Sequence, residues 1–326
     1  MAAAGDAATV RAMRGYLGGL ALGVLAACCL LLLTLQVLAG QEMLPAPQFA
    51  NSQCVDEKLR AMRLNPPGDA NLLVVGSSVA FRHFSGAAAH AIAPGIRPYN
   101  AGFCHANIRQ TGSATRWLVG RLPEVRHVLL IASPFDFEGC AAGPAAQFPL
   151  ADVDAYVFGH RDRFAPYFRY FDPATLLRNA ATIREVRTNP RLFDSVIVTP
   201  YGDGLNAPPW RGLHYDAASV EQSCVDDLAA LAGWLERRGV RLEVTLTPVH
   251  PQWAARFAGR APAAALEPRI KAALSATRAA YLAPPRQIGA DSFYDAIHMH
   301  AAAADAYTRT LVRDMDALIG EIGRPS

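Results

Sequence analysis

The chain carries almost no net charge. Its 31 Lys and Arg against 28 Asp and Glu leave only +3 over 326 residues. The arginines are scattered rather than clustered, and no DNA- or RNA-binding signature is present, which sets nucleic acid aside as a partner. No Cys-x-x-Cys pair occurs among the six cysteines, so a zinc knuckle has no scaffold. Internal repeats are absent, and nothing beyond a richness in alanine resembles low complexity. Charge is missing most conspicuously between Arg14 and Glu42.

That uncharged stretch, YLGGLALGVLAACCLLLLTLQVLAG (16–40), exceeds the about 20 apolar residues that cross a bilayer. Arg11 and Arg14 precede it and Glu42 follows, so the positive-inside bias places residues 1–15 in the cytoplasm and the rest outside. A cleaved signal peptide is the rival reading, but its apolar region spans only about 7–15 residues. LAAC, ending at Cys28, resembles a lipoprotein cleavage box, yet the mature chain would then begin with another dozen apolar residues. The expectation is an uncleaved single-pass anchor in an inner membrane with a periplasmic domain. Cys54, Cys104, Cys140 and Cys224 then face an oxidising compartment, where one or two disulfides are expected, with the pairing open.

What is there is enough for a core: 52% of the residues are hydrophobic. Residues 41–70 are polar and proline-bearing and read as a stalk ending at Pro66-Pro67-Gly68. From residue 71 to 326, apolar runs alternate with helical patterns. LLVVG, a short run within IRPYNAG, HVLLIAS (127–133), RLEVTLTPV (241–249) and a short piece before Asp291 read as strands. In SVEQSCVDDLAALAGWLERRGV, Cys224, Leu228, Leu231 and Leu235 share one helix face, Ser219 and Gln222 suit a capping box, and Gly239 suits a stop. Tyr307, Leu311, Met315 and Leu318 repeat the pattern in the last helix. Such alternation predicts an α/β fold, a three-layer α/β/α sandwich on a mostly parallel sheet of flavodoxin-like type. Residues 141–215 break the alternation and read as an insertion over the active edge. It is rich in aromatics suited to a local mini-core and carries a helix capped by Asp172 with Pro173 first.

Chemistry is expected where parallel strands end. NLLVVGSSVAFRHF (71–84) is a buried strand stopped at Gly76 with Ser77 and Ser78 at its tip, which by itself is equally a plain turn. DSFYDAIHMH sets Asp295 three residues before His298, the local pairing that lets an imidazole take a serine proton. Together, Gly76-Ser77-Ser78 and Asp295-x-x-His298 resemble the first and last sequence blocks of the SGNH/GDSL hydrolase superfamily. The Gly-Ser-Ser form is similar to its membrane-anchored members that act in D-alanyl transfer and alginate O-acetylation.

The resemblance spans roughly residues 71–305. It implies Ser78 as nucleophile, His298 as base and Asp295 as its orienting partner, with Ser77 in the place of the family's usual Asp. It also implies Gly102, in YNAGFCHAN, as an oxyanion donor beside the Ser78 amide, and no cofactor. The third block departs: ASPFDF stands where the family has Gly-x-Asn-Asp, so the hole is either left with the two backbone donors of Ser78 and Gly102 or borrows Asn100 or Asn107. Ser77, Arg82, Asp136 and His250 are candidate substrate contacts, Arg82 being equally a solvated helix residue and His250 equally a capping one. A metal site from Asp295, His298, His300 and His250 is the lesser alternative. The resemblance implies an esterase or O-acyltransferase acting on acylated envelope or exported polysaccharide. One alternative stands beside it: a catalytically silent binding protein of polysaccharide assembly that keeps the fold. Other envelope polysaccharide-assembly proteins are the partners it implies.

Overall fold

The computed structural model describes residues 2–159, 162–189, 197–204, 208–257, 262–284 and 288–315. Leu318 of the expected last-helix face lies outside them. The chain begins with α1 (Ala2–Gly40), whose Thr9–Gly40 portion is long and apolar enough to cross a membrane. Next comes α2 (Gln53–Leu64). It lies in the segment expected as a stalk, yet Val55, Leu59 and Met62 are buried in the main core. The polar look of this segment misleads because three of its charged residues, Asp56, Glu57 and Lys58, are themselves buried. Asp56 accepts the Ala50 and Ser52 amides (2.9 and 3.3 Å), and Glu57 accepts that of Ala46 (2.8 Å).

The catalytic-domain candidate then alternates as its sequence implies. The order is β1 (Leu72–Gly76), α3 (Ser78–His83), α4 (Gly86–Ile92), β2 (Pro98–Asn100), α5 (Ile108–Arg121) and β3 (His127–Ala132). A 3-10 turn (Pro134–Phe137) leads into α6 (Leu150–Val157), α7 (Ala165–Arg169) and α8 (Pro173–Thr188). The remaining elements are α9 (Gln222–Glu236), β4 (Arg241–Leu246), α10 (Pro251–Arg256), α11 (Pro262–Leu274), β5 (Ala280–Tyr281) and α12 (Ala301–Asp314).

The five strands form one all-parallel sheet in the order β2-β1-β3-β4-β5. Leu72 pairs with Pro98 on one side and His127 on the other, and Gly76 reaches Ile131. Successive strand residues enter different clusters, as the pleat requires. Leu73, Val75, Val128, Leu130, Leu242 and Val244 pack with residues of α2, α5, α9 and α11. Leu72, Val74, Leu129 and Ile131 pack with Phe84, Ala89, Tyr307 and Leu311. Since β2 and β3 lie on opposite sides of β1, the chain leaves β1 and β3 in diverging directions, and a crevice opens between their carboxyl ends.

Local signals differ in how they resolve. Asp172 caps α8 by accepting the Thr175 amide (3.1 Å), with Pro173 first, as expected. Gly239 ends the α9 turn at φ +69°, a conformation glycine adopts without strain. The Ser219–Gln222 capping box does not form. Helix α9 starts later, at Gln222, because the Ser219 amide is drawn away to the Glu138 carboxylate. Two disulfides, Cys54–Cys104 and Cys140–Cys224, use the four cysteines that follow α1.

Candidate active site

The strand-to-helix turn after β1 is forced by backbone crowding. Gly76 sits at φ +143°, and a Cβ there would lie 2.2 Å from the Ile131 carbonyl oxygen, so only glycine fits. Ser77 follows as the cap of α3, and Ser78 is the first helical residue. At the other end of the chain, Phe293 bridges Met299 and the Tyr294 amide donates to the His298 carbonyl (3.0 Å), folding 293–299 into a tight loop. Asp295 Oδ1 accepts the backbone amides of Ile297 (2.9 Å) and His298 (2.8 Å).

These two ends meet. His298 Nδ1 lies 2.8 Å from Asp295 Oδ2, and His298 Nε2 lies 2.8 Å from Ser78 Oγ. With the carboxylate accepting from Nδ1–H, Nε2 is the acceptor for the serine proton. Burial pushes the Asp295 carboxyl up, but its bond and charge interaction with His298 and the two backbone amides outweigh that and hold it below the ordinary range. Tyr294 stacks parallel on the His298 ring at 5.6 Å and limits its tilt.

A cleft of about 570 Å³ opens over this line. It is lined by Ser77, Ser78, Arg82, Asn107, Asp136, Asp295 and His298 among the expected residues. Asp136 is buried beneath the serine turn. Its carboxylate accepts the Ser133 amide (2.9 Å) and hydroxyl (3.0 Å) and the Ser77 side chain, which ties the exits of β1 and β3 together. Burial raises its pKa to about 7. Arg82 is buried, not a solvated helix residue, and is among the residues that line the cleft.

Three expectations need correction. Gly102 is not among the cleft-lining residues, and its amide donates to Asn100 Oδ1 (2.9 Å). Glycine is required there for close approach: a Cβ would fall 2.6 Å from the Phe81 nitrogen. Asn100 is fully buried, and its Nδ2 donates to the Ala80 carbonyl (2.7 Å), so it braces α3 against β2 instead of facing the cleft. His250 is also absent from the lining. It caps α10, accepting the Gln252 amide at Nδ1 (3.2 Å), with its ring between Trp210 and Phe293.

Asn107 remains at the wall. It caps α5 with Oδ1 accepting the Gln110 amide (3.0 Å), which fixes the carbonyl side of the amide and leaves Nδ2 as the donor. The residues of the metal reading do not assemble. Both His298 nitrogens are engaged, His250 caps a helix, and among the described residues no group of three or more His, Cys, Asp or Glu is placed to share an ion.

Sequence reasoning passed over several residues that shape the site. His83, fully buried, accepts the Met299 amide at Nε2 (3.0 Å) and meets Thr247 Oγ1 through Nδ1 (2.5 Å). Burial and the neighbouring His298 keep its pKa well below normal, so the ring is neutral. Lys58, buried on α2, donates to the carbonyls of Asn100 and Gly202 and lies 4.9 Å from the Phe81 ring centre. His105 lines the cleft at φ +63°, beside the Cys54–Cys104 bridge. Only His83 had a local signal, standing five residues after Ser78 on the same helix.

Comparison with known proteins adds no relative. No family model, curated protein or solved structure matches this chain. The functional reading therefore rests on the geometry and on the sequence blocks.

Proposed function

We propose that this chain is a membrane-anchored, serine-dependent ester hydrolase or O-acyltransferase of SGNH type, on a three-layer α/β/α domain. The observation that carries the reading is the continuous Ser78–His298–Asp295 line, with both links at 2.8 Å, on the floor of a cleft at the sheet's carboxyl edge.

In the first half-reaction Ser78 Oγ bonds to the ester carbonyl carbon while its proton passes to His298 Nε2. Asp295, held ionised, balances the imidazolium. The tetrahedral oxyanion is held by the Ser78 amide and, in place of the missing third-block asparagine, by Asn107 Nδ2. Collapse breaks the bond to the alcohol oxygen, which takes the proton back from His298, and the acyl group stays on Ser78. Water or a sugar hydroxyl then attacks, giving its proton to His298. The new bond forms as the Ser78 ester breaks and the serine recovers its proton. The acceptor alone separates hydrolase from transferase.

Location narrows the substrate class. An apolar helix preceded by Arg11 and Arg14, together with two disulfides, supports an inner-membrane anchor with the domain on the oxidising, periplasmic side. The packing of Leu35 at the end of α1 into the folded domain favours an anchor that is retained. Acylated envelope or exported polysaccharide is the substrate class that suits this site, with other envelope polysaccharide-assembly proteins as partners.

A second reading is a silent binding protein of polysaccharide assembly. It is favoured by the Gly102 amide being occupied by Asn100. A fluorophosphonate probe separates the two. Labelling that disappears in Ser78→Ala supports the enzyme, and folded protein that never labels supports the binding role.

A further inference from the structure

Five large apolar side chains are exposed among the described residues outside α1: Leu64, Phe168, Phe171, Leu177 and Trp210. Three of the five fall within one ten-residue stretch, from the end of α7 into α8. Isolated exposed apolar residues are ordinary, but such a concentration points to a surface with a use.

Its position says which use. Leu31, Leu35, Leu38 and Ala39 of α1 form a cluster with Leu44, Phe164, Tyr167 and Leu176. The exposed residues adjoin these contacts in the chain: Phe168 follows Tyr167, Leu177 follows Leu176, and Phe171 lies between. The clasp is also polar. The Tyr167 hydroxyl donates to the Pro45 carbonyl (2.5 Å), and Arg187 donates to the carbonyls of Gln41 and Glu42 (2.7 Å each), just past the end of α1.

The depth of the clasp follows from helix length. Counting from Tyr16, the first uncharged residue after Arg14 apart from Gly15, about 20 residues at about 1.5 Å each fill a hydrocarbon core of about 30 Å and end near Leu35. Leu35 is fully buried, at the middle of the clasp. Helices α7 and α8 therefore stand at the level where acyl chains give way to headgroups, the level at which aromatic rings are favoured. Arg178 and Arg184, both exposed on α8, suit lipid phosphates there.

We propose that α7 and the first turns of α8 form a second membrane contact, with Phe168, Phe171 and Leu177 seated in the outer face of a phospholipid bilayer beside α1. This rests on reading α1 as a retained anchor. The contact fixes the orientation of the domain, so that the Ser78 cleft is held at a set height and angle over the membrane instead of swinging on a tether.

The test uses the full chain reconstituted in phosphatidylethanolamine–phosphatidylglycerol vesicles, with two sets of quenching lipids, one brominated high on the acyl chain to report on positions 64 and 171 and one brominated near its end to report on position 25. Tryptophan is added singly by Phe171→Trp, by Leu64→Trp on the exposed end of α2, and by Leu25→Trp within α1. The expected result is loss of the added emission for Phe171→Trp and Leu25→Trp, with Leu64→Trp unaffected. Quenching of Leu25→Trp while Phe171→Trp behaves like Leu64→Trp overturns the second contact and leaves the anchor standing. Equal quenching of Leu64→Trp and Phe171→Trp overturns the fixed orientation. No quenching of Leu25→Trp removes the anchor reading, and this inference with it.

Discussion

The Met299 amide donates to the ring of His83 at 3.0 Å, joining the helix that begins with Ser78 to the loop that carries His298. The bond lies one residue from the imidazole that meets Ser78 Oγ, and it is shielded from water on all sides. His83 touches neither Ser78 Oγ nor the cleft. Its contribution is to positioning, by fixing the distance between two chain segments that share no local sequence.

Replacing His83 by Ala should therefore lower kcat rather than raise KM. A misplacement of about 1 Å in a catalytic group costs about 10²-fold in rate, and a fall of that order is expected. Steady-state kinetics on a small chromogenic ester check it, with slower fluorophosphonate labelling as the companion signal. A change confined to KM would show that the ring does not set the His298 position.

The acid–base balance of the interior predicts a fall in stability from about pH 4 to pH 7. Burial raises both Asp56 and Asp136 to about 7 in the folded chain, against about 3.9 in an unfolded one. Between those values the folded state holds the proton and the unfolded state does not, so the stability these groups contribute is complete at low pH and is lost as pH rises toward 7. Lys58, lowered to about 7 by burial, does not offset the fall, because below 7 it is protonated in both states. Buried His83, lowered by burial, offsets one proton of it, since below the usual imidazole range only the unfolded ring is protonated, but Glu57 and Asp203, both raised by burial, add to the side of the two aspartates. Asp295, lowered instead of raised, acts only at the acid end. Thermal unfolding should show a higher Tm at pH 5 than at pH 7, and Asp136→Asn should flatten that slope. A Tm that climbs over this interval would contradict the burial of these carboxyls.

Much of the architecture is legible in the sequence. Alternating apolar strands and one-sided helices leave periodic traces, and the parallel sheet, the α8 cap at Asp172 and the Gly239 stop follow from them. Ser78, Asp295 and His298 were legible as blocks, although nothing local says that they meet. What escaped was everything held by single long-range contacts. Segment 41–70 read as a stalk because its charges looked solvated, yet Lys58 is fully buried against the Asn100 carbonyl. Gly102 read as a donor to substrate because a family pattern cannot show that Asn100, two residues earlier, takes its amide. Cysteine pairing was likewise illegible, since spacing does not encode which chain segments are neighbours.

The Cys54–Cys104 bridge should matter to both stability and activity. It joins α2 to the loop that carries His105 and Asn107 into the cleft, and it spans 50 residues of chain. Chain-entropy arguments assign a loop of that size about 4 kcal/mol. The Cys54→Ser/Cys104→Ser double variant should lose about 2–4 kcal/mol in a denaturant titration and should bind active-site probes more slowly. Full stability in the double variant would mean that the packing of α2 alone holds this wall.

Asn107 offers the sharpest test of the oxyanion assignment, because its two functions can be separated. Its Oδ1 caps α5 and its Nδ2 is the donor assigned to the reaction. Asn107→Ser keeps a capping oxygen, an exchange that costs only a small part of the about 1 kcal/mol at stake in a cap, but removes the amide donor. Loss of a single oxyanion donor costs about 10²–10³ in kcat. The expected outcome is a Tm close to that of the parent chain, an intact Ser78–His298 pair and kcat reduced by that factor. Asn107→Ala should show the same loss of rate together with a lower Tm. If Asn107→Ser turns over at the parent rate, the hole is built from other donors in the cleft.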